Sequence, residues 1–196
     1  MIQLKATKMK LPLFPLPIFL LPDGITRLRI FEQRYLKMVR IATKENGFVI
    51  LLNDANNDLA DIGWASWVDI INFDQSDDGT LIIDVKCKSL VALHTINADD
   101  DNLNHAEVSP ISHWPVTQHD HITTALSLSL RKVFKENKEL GELYQNNISE
   151  NANWVIARWL ELLPIELQIK DNLTSHNSFD EAKQLIHSII MPAQHH

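Results

Sequence analysis

Apolar and polar positions change their period part-way along this chain. Up to about residue 115 they alternate or run in short blocks, and beyond it apolar residues recur at helical spacing. LPLFPLPIFLLP, at residues 11–22, is apolar throughout. Pro12, Pro15 and Pro17 each fix φ there and push the preceding residue towards extended backbone. Proline cannot donate to a ladder, so this ribbon is expected to pair at an edge or in short pieces. Asp23-Gly24 marks a turn, and ITRLRI at residues 25–30 alternates as a half-buried strand does. Tyr35, Met38, Val39 and Ala42 form one apolar stripe and predict a helix over about residues 32–45, closed by Asn46-Gly47. FVILLN at residues 48–53 reads as a buried strand, followed by a polar loop to residue 58. Residues 62–73 and 80–96 predict long strands around a turn at Asp77-Asp78-Gly79, the second bending near Lys88-Ser89 to become two strands. Residues 99–102 form an exposed loop and residues 105–111 a closing strand.

In the second half Ile122, Leu126, Leu130 and Val133 lie at helical spacing. A second helix covers residues 150–163, with Trp154, Ala157 and Glu161 on one face. Pro164 interrupts before a short helical stretch to Leu173. The last helix opens with Ser178-Phe179-Asp180-Glu181, which fits a capping box, and its stripe is Phe179, Ala182, Ile186, Ile189 and Ile190. Nothing repeats at a solenoid period. The pattern predicts an α+β chain: a small β-barrel with one early helix over residues 1–115, then a helical subdomain over residues 116–196.

Composition changes this picture little: 45% hydrophobic and 22% charged residues are globular values, which argues against disorder. The single cysteine, Cys87, excludes an internal disulfide framework and fits a reducing compartment. Charge is more informative. Residues 1–40 carry eight Lys/Arg and two Asp/Glu, residues 41–120 three and fourteen, and residues 121–196 seven and nine. An acidic middle repels phosphate backbones, so nucleic-acid binding is disfavoured. Lys5, Lys8 and Lys10 before the apolar ribbon imitate a secretory signal, but the prolines break any helix there and no small-x-small site follows. No apolar run approaches the roughly 20 residues that span a bilayer, so a soluble, cytoplasmic chain without membrane contact is expected.

Chemistry is sparse. No glycine-rich phosphate cradle occurs, and no cofactor is expected. His119-Asp120-His121 lies at a helix start, where Asp120 serves better as a first-turn anion than as a metal ligand. Residues 74–79 imitate half of a calcium loop, but Val85 stands where the bidentate Glu belongs, and a hairpin turn explains them better. Asp99-Asp100-Asp101 reads as a solvated loop. No metal or catalytic residue is assigned. Cys87 lies within a strand pattern and reads as a small buried residue. His195 and His196 end the sequence as a tag remnant or a frayed tail. Trp64 and Trp67, three apart, face opposite sides of a regular strand unless a bulge intervenes. Core packing is the default for tryptophan, but Trp64, Trp67 and Trp114 are candidate contacts for a bound peptide.

LPLFPLPIFLLPDGITRLRIFEQRYLKMV, residues 11–39, resembles the opening of the N-terminal substrate-binding domain of Lon proteases. That pattern is L-P-L-F-P-L, then a P-G-type turn, then L-x-I-F-E-x-R-Y and an apolar helix. Phe14, Pro15, Leu16, Pro22, Gly24, Leu28, Ile30, Phe31, Glu32, Arg34 and Tyr35 carry it here. Gly63, Ala65, the turn before Thr80, and ARWLELLPIELQIKDNL at residues 157–173 extend the similarity. Cys87 and Leu90 stand where the family has a glycine and an arginine.

The resemblance implies a PUA-like β-barrel followed by a C-terminal α-helical bundle, in a stand-alone, ATP-independent module without the ATPase and Ser–Lys peptidase. It implies a non-catalytic protein-binding role, as an adaptor or quality-control factor whose partners are unfolded or exposed apolar protein segments and a separate protease or chaperone. An RNA-binding PUA-like module and an unrecognised hydrolase are the alternatives. The signature residues read as structural: Phe14, Leu16, Leu28, Phe31 and Tyr35 as core, Glu32 capping or favouring a helix start, and Arg34 paired with a carboxylate across the barrel.

Overall fold

The computed structural model describes residues 8–53, 63–145, 148–149 and 151–191. Lys5, most of the polar loop after Asn53, Ile62, Glu150, His195 and His196 lie outside them. The chain divides into two compact units, residues 1–111 and 112–196.

The first unit is a six-stranded sheet with one helix. Strands β1 (Met9–Leu16), β2 (Ile25–Ile30), β3 (Phe48–Leu52), β4 (Trp64–Gln75), β5 (Leu81–Ala98) and β6 (Asn104–Pro110) run in the order β2-β5-β4-β3-β1-β6, and β5 also pairs with β6. β1 pairs in two pieces of four residues, as its prolines require. Met9 to Pro12 lie antiparallel to β6, and Leu13 to Leu16 lie parallel to β3. The turn before β2 closes by a bond from Gly24 N to Leu21 O at 2.9 Å, with Asp23 rather than Gly24 at positive φ.

The predicted division of residues 80–96 into two strands does not occur. β5 is one strand of 18 residues, and the expected bend at Lys88 is a bulge: Trp67 pairs with Ser89 and Val68 with Cys87. A strand can stay continuous through a bulge when its partners change along it. β5 pairs with β2 over residues 81–86, with β4 over 81–92, and with β6 over 91–98.

Helix α1 (Gln33–Ala42) buries Tyr35, Met38, Val39 and Ala42, the predicted stripe. The Phe14 ring lies 4.0 Å from that of Tyr35 and 6.4 Å from that of Phe48. Gly47 ends the helical excursion at φ 76°, where an added Cβ would sit 2.0 Å from Val68 O. Only glycine fits. On the sheet, Leu11, Leu13, Val49, Ala65, Val91, Ala106 and Val108 form one buried cluster, with Met9, Leu51, Trp67 and Leu93 against it.

Signature readings change at Phe31, Arg34 and Leu16. Phe31 is 73% exposed, because the alternation of β2 ends at Ile30 and the chain turns towards α1. Arg34 pairs with Glu32, two residues away at 2.8 Å, and not across the sheet. Glu32 is the N-cap of α1, but its carboxylate makes no cap bond. Leu16 is half-buried.

The second unit holds α2 (His121–Glu136), α3 (Lys138–Tyr144), α4 (Ala152–Leu162), α5 (Leu167–Asn172) and α6 (Phe179–Ile190). α2 packs on α3, α4 and α6, and α4 on α6. Asp120 caps α2 through a capping box with Thr123. α3, unforeseen from the sequence, starts where Asn137 accepts from Leu140 N at 3.1 Å. The capping box expected at Ser178 is absent. Its hydroxyl instead accepts from the Trp114 indole and donates to the carbonyls of Leu173 and Ser175. Ile189, expected in the buried stripe of α6, is 44% exposed.

Candidate functional site

β4 pairs with β3 only through Ser66, Trp67 and Val68, but with β5 as far as Gln75. From Asp69 onward its outer edge has no strand partner among the described residues. Burial ends at the same place: Trp64, Ala65, Ser66 and Val68 are buried, and Ile71 to Gln75 are all exposed. A second bulge helps to lift this arm. Ile70 pairs with Val85 and Asn72 with Asp84, leaving Ile71 as the extra residue. An edge of this kind presents unpaired backbone donors and acceptors to an incoming strand. Two large apolar side chains stand on it, Ile71 at 45% and Phe73 at 51% exposure.

The two faces of the β2–β5–β4 ribbon differ. On one, Leu28, Ile83 and Phe73 lie in register across the three strands, the first two buried and Phe73 carrying the row out to the open edge. On the other, Arg27 grips Asp84 through Nε at 2.7 Å and Nη2 at 3.0 Å, and Asn72 Nδ2 donates to the same carboxylate at 3.1 Å. The Arg27 guanidinium holds the Asp84 carboxyl below its ordinary value against the opposing effect of burial, and Asn72 adds to this.

Beside Ile71 lies a groove of about 310 Å³, lined also by Asp23, Asp69, Lys86, Cys87 and Lys88. Lys86 pairs with Asp23 and Lys88 with Asp69, each at 2.9 Å. Such half-exposed pairs add little stability, so they form a rim that can rearrange. The Lys88 ammonium lies 4.2 Å from the centre of the Trp67 ring. Cys87 is fully buried, its sulfur 3.5 Å from Ser89 O. An apolar floor, a movable charged rim and an open backbone edge suit an extended chain.

Of the three tryptophans expected as peptide contacts, only Trp67 borders this region, half-buried and donating through its indole to Asn46 O. Trp64 is buried edge-on to Phe19 at 5.8 Å, so it offers no surface. Trp114 is buried in the second unit, stacked on His113 at 4.2 Å and bonded to Leu173 O at 3.0 Å. Both lie buried against neighbouring rings.

Among the described residues no three His, Cys, Asp or Glu side chains are grouped to hold a metal ion. Asp120 is held well below the ordinary carboxylate range. Burial opposes this, but the Lys183 ammonium and Thr123 outweigh it. Asp78, in the imitation calcium loop, bonds Ser76 and the Thr80 amide as a hairpin turn does. Asp99 is more organised than a solvated loop: one oxygen accepts from the amides of Asp101 and Leu103, the other from Lys37 and His105.

The sequence reading missed Ile71 and Phe73. Its available signal was the break of alternation at Ile70-Ile71, which marks a bulge, within a stretch bracketed by aspartates.

The model of the ATP-dependent protease La (LON) substrate-binding domain family matches residues 10–190. A Lon N-terminal domain protein from Xanthomonas campestris, 25% identical, superposes with a TM-score of 0.66 over 91% of this chain and 96% of that one. The N-terminal domain of the Mycobacterium avium complex Lon protease, 9% identical, shares the fold at a TM-score of 0.58, over 94% of this chain and 100% of that one. No curated protein matches the chain.

Proposed function

Because the chain belongs to the Lon substrate-binding domain family, we propose that it is a non-catalytic module that captures exposed apolar segments of protein substrates as an added strand on β4. The single observation that carries this is the outer edge of β4 beyond Asp69, open among the described residues and bearing the exposed Ile71 and Phe73. Main-chain bonds supply affinity in strand addition and the flanking side chains supply selectivity. The β5–β6 pairing, which links the last strand of the sheet back to β5, supports a PUA-like closed barrel as the rigid frame. Contacts of α2 with α3, α4 and α6 support a helical bundle beside it in sequence. An adaptor role towards a separate protease or chaperone fits a module of this kind. The acidic β4–β5 arm disfavours RNA as the ligand on this edge.

A denatured client protein, or an extended peptide cut from one, is expected to bind the wild-type chain. Binding should fall at least about tenfold in Phe73→Ser, whose side chain is half in solvent. Anisotropy of the labelled peptide measures this, and an unchanged affinity in Phe73→Ser refutes the edge as the site.

A further inference from the structure

The β4 arm has a charge pattern that goes beyond an apolar edge. Residues 69–85 contain Asp69, Asp74, Asp77, Asp78 and Asp84 and no Lys or Arg. The cations nearest to it come from β2 and from the later part of β5, and each has an acid of its own. Arg27 pairs with Asp84, Arg29 with Asp78, Lys88 with Asp69, and Lys86 with Asp23. Asp74 and Asp77 have no ion pair among the described residues. Asp74 pairs across to Ile82 and so shares the polar face with Asn72 and Asp84, while Phe73 shares the apolar face with Ile83. Side chains therefore alternate along the open edge: apolar at Phe73, polar or acidic on either side of it.

We infer that the edge selects extended segments in which apolar residues alternate with lysine or arginine, the basic side chains meeting Asp74 on the edge and Asp77 in the turn beyond it, and the apolar ones covering Phe73. This rests on the strand-addition reading and names the substrate class for it. The same charges argue against the other obvious occupant. A second copy of this chain, paired edge to edge through β4, would bring together two arms whose Asp74 and Asp77 have no ion pair among the described residues, and like charges on paired strands repel. Like-charged edges keep copies apart; a basic strand removes the repulsion and gains from it.

The test uses the whole chain and three labelled twelve-residue peptides in which valine and phenylalanine alternate with lysine, with serine, or with glutamate. Two exposed ion pairs of ordinary strength amount to about tenfold in affinity. The lysine peptide is thus expected to bind about tenfold tighter than the serine peptide and the glutamate peptide more weakly still, with the spread shrinking at high salt. Asp74→Lys/Asp77→Lys, at two exposed positions, is expected to reverse the order while circular dichroism stays unchanged. Equal binding of all three peptides, or an order that survives in the charge-reversed variant, overturns this inference and leaves strand addition standing. Binding of none of the three overturns both. A concentration-dependent dimer that the charge reversal abolishes would assign the edge to a second copy instead and overturn it too.

Discussion

In the sheet unit Arg27 and Arg29 keep 45% and 58% of their side chains in solvent while holding Asp84 and Asp78. In the helical unit Arg158 keeps 1%, and it holds Glu161 by two bonds of 2.7 Å across one turn of α4. Lys170 is also buried there, its ammonium 3.2 Å from Glu161 O, and burial pulls its pKa down. The sheet unit's arginines pair at its surface, and the helical unit's Arg158 pairs in its interior, although Lys138–Glu142 of that unit is exposed. Exposed pairs can be exchanged for a ligand's charges at little cost, whereas a buried pair becomes expensive as soon as one partner is removed. The difference separates a surface suited to recognition from a body suited to rigidity.

The sharpest way to break this contrast is Glu161→Gln. It should cost the helical unit about 3–5 kcal/mol by urea denaturation, because the Arg158 guanidinium would lose its carboxylate inside the protein. The double replacement Arg158→Met/Glu161→Leu should regain most of that loss. A Glu161→Gln cost below about 1 kcal/mol would show the pair to be no more than a surface contact.

Acid should separate the units next. His113 donates from Nδ1 to Thr174 O at 3.0 Å, and burial pushes its pKa down from 6.5 to about 4, with the Arg158 charge adding to the fall. The unfolded chain takes up that proton near pH 6.5 and the folded one does not. Stability is therefore complete above that pH and drains away as pH falls towards 4, by about 3 kcal/mol at most. Asp84 acts with the same sign in a lower window: its lowered pKa leaves the contribution to the sheet unit complete above the ordinary carboxylate value, and it is lost only below it. Hydrogen exchange between pH 7 and 4 should show the Trp114 indole losing protection before the amides of β5. His113→Gln should abolish that order.

The smallest effect expected is that of Arg29→Gln. Its pair with Asp78 is more than half exposed on both sides, so the melting midpoint should hardly move. A shift as large as that of Glu161→Gln would erase the distinction between the units.

Much of the sheet unit was legible because its signals are local. The alternation of β2, the stripe Tyr35, Met38, Val39 and Ala42, and the Asp77-Asp78-Gly79 turn each lie within a few residues. What stayed hidden depends on partners far away in sequence. Lys88 bulges without ending β5 because β2, β4 and β6 take over from one another along it. Ser178 loses its capping role because Trp114, 64 positions earlier, reaches its hydroxyl. The candidate site was hidden for the same reason. An open edge is defined by where β3 begins, opposite Val68, and no property of Ile71 or Phe73 reveals that. Phe31 misled in the other direction, since a motif position occupied by an aromatic was read as packed.

The two-part pairing of β1 also bears on how the chain is made. Met9 to Pro12 meet their partners only when His105 to Val108 of β6 have left the ribosome, about 95 residues later. Through that interval the first strand is an apolar ribbon with nothing to pair against at its leading half. Pro12, Pro15 and Pro17 lack the amide protons that would let such a ribbon zip onto a neighbouring nascent chain. The prolines that look like an obstacle to a strand keep this one waiting safely for its last partner.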